Sequence, residues 1–242
     1  MSIIVGDIHG NVEKVKAFLA YRPDQEHVAL GDYLDSFSEP QNRQLECLKL
    51  LLKSDAVLLW GNHDLHYLDP LPPFICTGFQ YGKEDACFSV VTANKNRFRA
   101  AHVTDGWLCT HAGCHIRLAK RENPDEIAAR FNENMAAYIE KPYEPGDNGI
   151  FASGQGRGGS APCGGIFWHD FKRENGLATD IRQIFGHTEI SEPVVTDNYV
   201  ALDTTNNKIS IFLFDTETGK LVTLPMPGRG KIPTSEYVWQ SL

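Results

Sequence analysis

The stretch Ile3-Ile4-Val5-Gly6-Asp7-Ile8-His9-Gly10 opens a pattern that decides the fold of the first part of the chain. Its form is a short apolar run followed by glycine and polar residues. The same form returns in Val28-Ala29-Leu30-Gly31-Asp32-Tyr33-Leu34-Asp35 and in Val57-Leu58-Leu59-Trp60-Gly61-Asn62-His63-Asp64. Unbroken apolar runs of this kind predict buried strands, and the helical spacing of apolar residues in 12–19 and 45–52 predicts a helix after each of the first two. Strand, helix, strand, helix, strand in this order predicts a parallel sheet.

The rest of the chain adds further strands and two clear helices. One helix is expected over Asp85–Asn96, and another from Pro124, after the N-cap Asn123, to about Tyr138. Strands are expected at residues 100–103, 107–109, 183–185, 194–196, 199–202, 209–214 and 220–224, with hairpin turns at Asp197-Asn198, Asn206-Asn207 and Thr218-Gly219. This predicts an α/β fold of two packed, mixed β-sheets, a β-sandwich, flanked by α-helices. We expect one domain over residues 1–242, with residues 225–242 as a surface C-terminal tail.

Side chains that bind metals stand at the ends of five of the predicted strands. Besides the three stretches above, Trp107-Leu108-Cys109-Thr110 leads into His111, and Ile184-Phe185-Gly186 leads into His187. Strand ends are fixed by packing, so their side chains can converge on a point. Two carboxylates, an amide oxygen and three imidazoles suit Mn, Fe or Zn, and Asp32 is suited to bridge two ions about 3.5–4 Å apart. We expect two divalent ions, Mn before Fe or Zn, and phosphoester hydrolysis as the reaction class.

These blocks, taken in order, resemble the calcineurin-like metallophosphoesterase family, and most closely its serine/threonine phosphoprotein-phosphatase and diadenosine tetraphosphatase branch. The family pattern is D-x-H, then G-D-x-x-D, then G-N-H-[DE], then a separate H and finally G-H. The resemblance implies a first metal held by Asp7, His9 and Asp32 and a second held by Asp32, Asn62, His111 and His187. It also implies that His63 protonates the leaving group while Asp35 orients and charges its imidazole. Because a carboxylate partner raises the pKa of an imidazole, we expect His63 to stay protonated near neutral pH.

The activity that this resemblance implies is phosphoester hydrolysis by direct attack of a hydroxide bound to the two metals, with no covalent phospho-enzyme. Within the same class, the chain could instead hydrolyse dinucleoside polyphosphates or other nucleotides, or act as a phosphodiesterase. An alternative from another class is a metal-binding scaffold without catalysis, although Asp35 and His63 are both present. Activity with Mn²⁺ on 4-nitrophenyl phosphate and on its bis ester separates these readings.

The chain departs from the family pattern after Asp35. The branch usually continues with Arg-Gly, and the arginine grips the phosphate, whereas this chain continues with Ser36 and Phe37. Serine cannot supply a bidentate cationic clamp. Arg157, in the Gly- and Pro-rich segment 142–165, is the first candidate for the missing charge, ahead of Arg43 and Arg173, and Asn62 is a second candidate for substrate binding. We expect segment 142–165 to form a long loop and its Gly-rich stretch 154–159 to be a mobile loop over the cleft.

Composition and charge narrow the class of partner. The formal net charge of −8 argues against a nucleic-acid duplex, which needs a basic surface. No apolar run approaches the ~20 residues of a membrane span, and no leader peptide fits before the first motif. Six scattered cysteines without a C-x-x-C pair are expected to be reduced thiols. We therefore expect a cytoplasmic enzyme whose partner is a phosphorylated small molecule, nucleotide or phosphoprotein.

The other five histidines match no block of the pattern. They are interpreted as structural, and His169 alone is expected to border the cleft; the five are His27, His66, His102, His115 and His169.

Overall fold

The computed structural model describes residues 1–68, 76–79, 84–141 and 148–227. The strands are β1 Ser2–Val5, β2 Glu26–Ala29, β3 Val57–Leu59, β4 Phe98–Arg99, β5 Ala101–Thr104, β6 Trp107–Thr110, β7 Arg182–Phe185, β8 Val194–Val195, β9 Tyr199–Ala201, β10 Ser210–Asp215 and β11 Lys220–Pro225. The α-helices are α1 Val12–Ala20, α2 Gln41–Leu52, α3 Asn62–Leu65, α4 Glu84–Ala93, α5 Ile116–Ala119 and α6 Pro124–Glu140.

One sheet has six strands in the order β11-β10-β1-β2-β3-β4. Strands β1 to β4 run parallel, as expected for a strand-helix repeat. β10 pairs antiparallel with β1, and β11 pairs antiparallel with β10. The side chain of Asn11 accepts a hydrogen bond from Lys14 N–H and so caps α1 directly after the first motif. The predicted parallel unit is confirmed.

The second sheet has five strands in the order β5-β6-β7-β9-β8. Its three central strands, β6, β7 and β9, are parallel, and the edge strands β5 and β8 are antiparallel to their neighbours. The predicted N-cap of α6, Asn123, is confirmed, and the structure adds a capping box, because the side chains of Asn123 and Glu126 each accept the backbone N–H of the other residue. Two mixed sheets flanked by helices are therefore confirmed.

Alternation along the strands builds two apolar layers. Ile4, Val28 and Leu59 of the first sheet pack with residues such as Ile184 and Val200 of the second, which fills the space between the sheets. Their neighbours along each strand point outward to the helices, into a larger cluster. Central strands buried on both faces explain why these runs are continuously apolar in sequence.

The expected hairpin at Asn206-Asn207 is wrong. β9 lies in the second sheet and β10 in the first, so the segment between them crosses from one sheet to the other. The hairpins at Asp197-Asn198 and Thr218-Gly219 are confirmed, because β8 pairs with β9 and β10 with β11. Turn residues mark where a strand ends, but the pairing of the next strand depends on long-range packing.

Segment 148–165 is packed rather than open. It forms two short 3-10 helices, Asn148–Phe151 and Gln155–Arg157. A Cβ on Gly159 would overlap Ser153 O, and a Cβ on Gly164 would overlap Trp168 O, so these glycines allow close backbone packing. The described part of the expected loop is therefore closely packed, and its mobility stays a prediction.

Other expectations fall at the limits of the described ranges. Residues 142–147 and the break expected at Pro70-Leu71-Pro72-Pro73 lie outside them. Pro225 ends β11 and Met226 is buried, so the expected tail could begin only after them. Residues 228–242 lie outside the described part of the chain, and a surface tail there stays a prediction. Within the described ranges, no helix combines the length and the apolar character that a bilayer span requires.

Candidate metal centre and active site

The candidate site lies where parallel strands of both sheets end. β1, β2 and β3 are parallel in one sheet, and β6 and β7 are parallel in the other. Their carboxyl ends bring together the predicted ligands: Asp7 and His9 follow β1, Asp32 follows β2, Asn62 follows β3, His111 follows β6 and His187 follows β7. The sandwich therefore assembles one polar cluster from five strands that are distant in sequence.

One group of candidate ligands consists of Asp7, His9 and Asp32, each offering an atom within 4.8 Å of the others. His9 Nε2 lies 3.6 Å from Asp32 Oδ2. The other ring nitrogen, His9 Nδ1, lies 2.9 Å from the carbonyl oxygen of Leu34, which can only accept a hydrogen bond. This contact places the proton on Nδ1 and leaves Nε2 available as a ligand.

A second group consists of Asp32, His111 and His187, again within 4.8 Å. His111 Nε2 lies 3.5 Å from Asp32 Oδ1, while its Nδ1 lies 2.8 Å from Leu30 O. Asn62 Oδ1 lies 2.8 Å from both His111 Nε2 and His187 Nδ1. Because the amide nitrogen of Asn62 contacts Cys76 Sγ, its oxygen faces the imidazoles. Asp32 is thus shared, with Oδ2 towards the first group and Oδ1 towards the second.

The backbone at these residues is held in the left-handed region. Non-glycine residues with positive φ include His9 (43°), Asp32 (53°), Asp35 (57°) and His187 (65°). Such conformations cost on the order of 1–3 kcal/mol each and persist only where the surrounding structure enforces them. Gly186 supports this arrangement, because a Cβ there would overlap Asp7 Oδ1. Of the eight non-glycine residues with positive φ in the described ranges, these four lie at or beside the candidate ligands.

Burial makes the site unfavourable for uncompensated carboxylates. It raises the pKa of Asp7 to about 6, against opposing hydrogen bonds and the charge of Lys14. Burial also raises the pKa of Asp32 well above its ordinary value, and the nearby charges of Asp7 and Asp64 add to the effect. A bound cation would offset both penalties.

The histidines are held neutral by the same environment. Burial lowers the pKa of His9 to about 4 and that of His111 to about 4, and it lowers the pKa of His187 well below its ordinary value. Neutral imidazoles and ionised carboxylates are the forms that bind metals. The buried nitrogens that face each other, His111 Nε2 and His187 Nδ1, are only 3.2 Å apart. The residues present therefore fit divalent cations.

His63 and Asp35 form the expected pair beside this cluster. His63 Nδ1 lies 3.0 Å from Asp35 Oδ2, and the ring of His63 borders the cleft. Burial lowers the pKa of His63, and the hydrogen bond and charge of Asp35 oppose this shift without cancelling it. Asp35 therefore acts in the expected direction, but the buried position outweighs it. For Asp35, burial would raise the pKa, yet hydrogen bonds from His63 and His66 lower it to about 2.

Sequence reasoning missed two partners of Asp35. His66, interpreted as structural, is fully buried, and its Nε2 lies 2.7 Å from Asp35 Oδ2. Tyr67 donates its hydroxyl to Asp35 Oδ1 at 2.6 Å. Both come just after Gly61-Asn62-His63-Asp64, so their closeness to His63 in the sequence could have pointed to them.

Lys14 and Asp203 were also missed. Lys14 is buried and donates through Nζ to the backbone oxygen of Asp7 at 2.6 Å. Asp203 is buried beside Asp7 and His9, and both burial and the charge of Asp7 raise its pKa. Asp203 comes just after β9, the third central parallel strand of the second sheet. The strand-end rule that selected the other ligands would have found it too.

Of the three arginines considered, Arg157 alone lines the cleft. Its Nε lies 3.1 Å from Asp170 Oδ2, and Nη2 donates to Thr188 Oγ1 at 3.0 Å. Arg43 pairs with Glu13 and Glu46. Arg173 is exposed and pairs with Asp170. Ser36, at the usual arginine position, is buried and accepts the backbone N–H groups of residues 38 and 39.

The cleft has a volume of about 970 Å³ and extends well beyond the ligand cluster. Phe37 lies on its wall with 81% of its surface exposed. Trp168 also lines it, with its ring centroid 6.1 Å from that of His187. The cleft therefore offers aromatic surface as well as polar ligands.

Carboxylates and imidazoles at the strand ends of two packed mixed sheets form a candidate metal centre. Residues 2–191 match the family model described as calcineurin-like phosphoesterase. The chain belongs to this family of metallophosphoesterases, which depends on divalent metals, and is accordingly a phosphoester hydrolase. No curated protein matches the chain by sequence.

Solved structures share the fold at low sequence identity. A mutant of a cold-active protein tyrosine phosphatase matches with a TM-score of 0.60 and 15% identity, over 94% of this chain and 78% of that one. A candidate diadenosine tetraphosphatase matches with a TM-score of 0.50 and 17% identity, over 94% of each chain. At such identities the likeness concerns the fold alone.

Proposed function

We propose that this chain is a phosphatase that hydrolyses phosphomonoesters with a dinuclear metal centre. The observation that carries the proposal is the pair of three-residue groups that share Asp32. In this assignment Asp7, His9 and Asp32 hold one ion, and Asp32, Asn62, His111 and His187 hold the other. When bound, such a pair supplies Lewis acidity at a phosphoryl oxygen and lowers the pKa of a water molecule. Manganese is proposed first, because carboxylate and amide oxygens accompany the imidazoles.

His63 is assigned as the proton donor to the leaving-group oxygen. Its Nδ1 is engaged by Asp35, so Nε2 is the nitrogen left for the substrate. Asp35 is almost fully buried and holds the ring by this hydrogen bond. Positioned proton transfer of this kind contributes about 10²–10⁴-fold to rates.

Arg157 is assigned as a phosphate contact. It stands on the cleft wall with Asp170 and Thr188 fixing one side of its guanidinium group. Guanidinium carries five N–H donors in all, so donors remain for a phosphoryl oxygen. Arg157 would then supply the positive charge that, in the family pattern, comes from an arginine at the position of Ser36. Asn62 is kept as a second contact, because its side chain also lines the cleft.

Nucleotide substrates are a second candidate, favoured by the exposed ring of Phe37. A large apolar side chain exposed inside a polar cleft suits stacking on a base, and the cleft is larger than one phosphate needs. The fold shared with a candidate diadenosine tetraphosphatase agrees with this reading. Phe37→Ala should then raise KM for a nucleotide by about tenfold and leave KM for a small alkyl phosphate unchanged. Equal changes for both substrates would remove this candidate.

The cysteines support a reducing compartment, and we propose the cytoplasm. The structure describes all six, none of them in a disulfide, and five of them are buried. Disulfides are rare where glutathione and thioredoxin keep thiols reduced.

The direct test measures metal content and hydrolysis together. The protein is stripped with chelator, reloaded with Mn²⁺, Fe²⁺ or Zn²⁺, and assayed on 4-nitrophenyl phosphate and on its bis ester. We expect two ions per chain and turnover of the monoester. Turnover of the bis ester alone would indicate a phosphodiesterase. Two bound ions without turnover of either ester would indicate a scaffold.

A further inference from the structure

His66 contacts Asp35, and both side chains are buried. It ends helix α3 as its C-cap residue, and none of its surface is exposed. Its ring packs edge-on against Tyr67 and Phe79, with centroid separations of 4.5 and 4.9 Å. An apolar enclosure of this kind excludes water and strengthens the polar contacts inside it.

The tautomer of His66 follows from its two neighbours. The backbone N–H of Cys76 donates to Nδ1 at 3.2 Å, so Nδ1 carries no proton. A neutral ring then carries its proton on Nε2, which lies 2.7 Å from Asp35 Oδ2. Among the described residues, Asp35 is the polar group that this nitrogen meets. His66 therefore directs an N–H group at the carboxylate of Asp35 in a close contact of 2.7 Å, which lacks the alignment of a well-formed hydrogen bond.

Three side chains meet the carboxylate of Asp35. Oδ2 lies 3.0 Å from His63 Nδ1 and 2.7 Å from His66 Nε2, while Oδ1 accepts the hydroxyl of Tyr67. Contacts with two buried side chains restrain the rotation of this carboxylate and so favour the orientation in which Oδ2 meets His63. The backbone of Asp35 is also fixed in the left-handed region, with φ of 57°.

We propose that His66 is a positioning residue that acts through Asp35 to hold the imidazole of His63 in line with the leaving group. The proposal rests on the assignment of His63 as the proton donor. Loss of the His66 donor would let the carboxylate and then the ring of His63 reorient, so the rate would fall where the leaving group needs a proton. A good leaving group needs little protonation, and a poor one needs much.

The test compares two esters that differ in their leaving group. 4-Nitrophenyl phosphate releases a stable anion, whereas phenyl phosphate releases a more basic one. For the Mn²⁺-loaded protein, His66→Leu, which keeps similar volume but removes the donor, should lower kcat on phenyl phosphate by about 10- to 100-fold. It should lower kcat on 4-nitrophenyl phosphate by less than about 3-fold, with KM for both esters nearly unchanged. His66→Gln, whose Nε2 can donate to Asp35, should recover most of the loss.

Two controls separate positioning from general damage. His27 is another buried histidine, bonded to the carbonyl oxygens of Gln25 and Tyr21 and remote from the cleft. His27→Leu should lower Tm without changing the ratio of the two kcat values. In a His63→Asn background, His66→Leu should add less than about 2-fold, because a residue that acts through His63 has nothing left to position. Equal losses on both esters, or full additivity in the double variant, would overturn the proposal.

A spectroscopic readout keeps the proposal independent of turnover. Long-range ¹H–¹⁵N spectra of the protein loaded with diamagnetic Zn²⁺ should show His66 with its proton on Nε2. The ring signals of His63 should shift in His66→Leu and stay close to the wild type in His66→Gln. A proton on Nδ1 of His66, or unchanged His63 signals in His66→Leu, would overturn the proposal. If the wild type hydrolyses neither ester, the proposed function fails, and the spectra alone decide the placement of His66.

Discussion

Asp32 is the residue that belongs to both groups of candidate ligands. Its two oxygens face different ligand groups, Oδ2 towards His9 at 3.6 Å and Oδ1 towards His111 at 3.5 Å. Oδ1 also accepts the backbone N–H of His63 at 2.9 Å, which ties the ligand cluster to the start of α3. One side chain therefore sets the spacing of both proposed ions.

Asp32→Asn should disturb both ion sites at once. Replacing one carboxylate oxygen by an amide nitrogen removes a ligand atom and places N–H donors near imidazole nitrogens. We expect metal affinity to fall by about 100-fold or more and turnover to fall in parallel. The measurements are titration calorimetry with Mn²⁺ and the metal content after dialysis. Glu13→Gln is the matched control, since Glu13 lines the same cleft without belonging to a ligand group, and it should bind two ions as before.

Arg157→Ala should weaken substrate binding more than it affects metal content. A charge-assisted hydrogen bond is worth about 1.5–3 kcal/mol, which corresponds to a loss of roughly 10- to 150-fold in kcat/KM. Arg173→Ala is a matched control, because Arg173 also pairs with Asp170 but does not line the cleft. Steady-state kinetics on a phosphomonoester measure this loss in kcat/KM. An unchanged kcat/KM in Arg157→Ala would exclude this arginine as the phosphate contact.

Most residues of the candidate cluster could be predicted from the sequence because each follows an apolar strand. Asp7, Asp32 and His187 were predicted on this basis. His66 could not be separated from a structural histidine, because its role depends on Asp35 from the previous motif and on the backbone N–H of Cys76. The sequence also could not tell which arginine lines the cleft, since segment 148–165 is packed by contacts with distant residues.

At the scale of elements, Glu174 anchors the segment that carries Arg157. Oε1 accepts the N–H of Gly156 at 3.1 Å, and Oε2 accepts the N–H of Gly164 at 2.7 Å. His169 Nδ1 lies 3.0 Å from Oε2. Burial would raise the pKa of Glu174, but these hydrogen bonds outweigh it and lower the pKa. The ionised side chain therefore stabilises the folded segment.

Glu174→Gln should reduce stability in a pH-dependent way. The variant cannot accept all three hydrogen bonds with a charged group, so we expect a loss of about 1–3 kcal/mol at neutral pH. Because the folded pKa is lowered, this stabilisation is complete above the unfolded value of about 4.3 and is lost as the pH falls through the folded value. Denaturant unfolding between pH 7 and pH 3.5 should show the two proteins converging. The exposed Glu192→Gln serves as control, and a constant difference across this range would contradict the explanation.

The order of strands and helices along the chain was easier to predict than the pairing of the strands. Periodicity located the strands and helices because local burial imposes it, and Asn123 with Pro124 fixed the start of α6. The partners of β10 were not predictable from the turn at Asn206-Asn207, because β10 returns to β1 across the whole chain. Strand direction in the second sheet was likewise decided by packing, which makes β6, β7 and β9 parallel.

At the scale of the whole molecule, the proposed ions would join the two sheets. Asp7, Asp32 and Asn62 follow strands of the first sheet, whereas His111 and His187 follow strands of the second. Cations bound between them would hold the sheets together and relieve the burial cost at Asp7 and Asp32. The stability of the fold, as well as the activity, should therefore depend on bound metal.

Chelation should lower Tm, and Mn²⁺ should restore it. A ligand at about 100 times its Kd stabilises by about 2.7 kcal/mol, which is on the order of 5–10 °C for a chain of this size. Differential scanning fluorimetry with EDTA and then with excess Mn²⁺ measures the shift. Asp32→Asn should respond much less. A wild-type Tm that changes with neither EDTA nor Mn²⁺ would contradict a metal centre that spans the sheets.

The position of β10 has a consequence for biosynthesis. β1 lies inside its sheet, yet one of its two neighbours, Ser210–Asp215, is translated more than 200 residues after it. A nascent chain on the ribosome therefore holds Ser2–Val5 with one open edge until residues beyond 210 emerge. Open edges recruit foreign strands. Cutting the gene where the family match ends, at residue 191, would make that temporary exposure permanent and yield a product prone to aggregate.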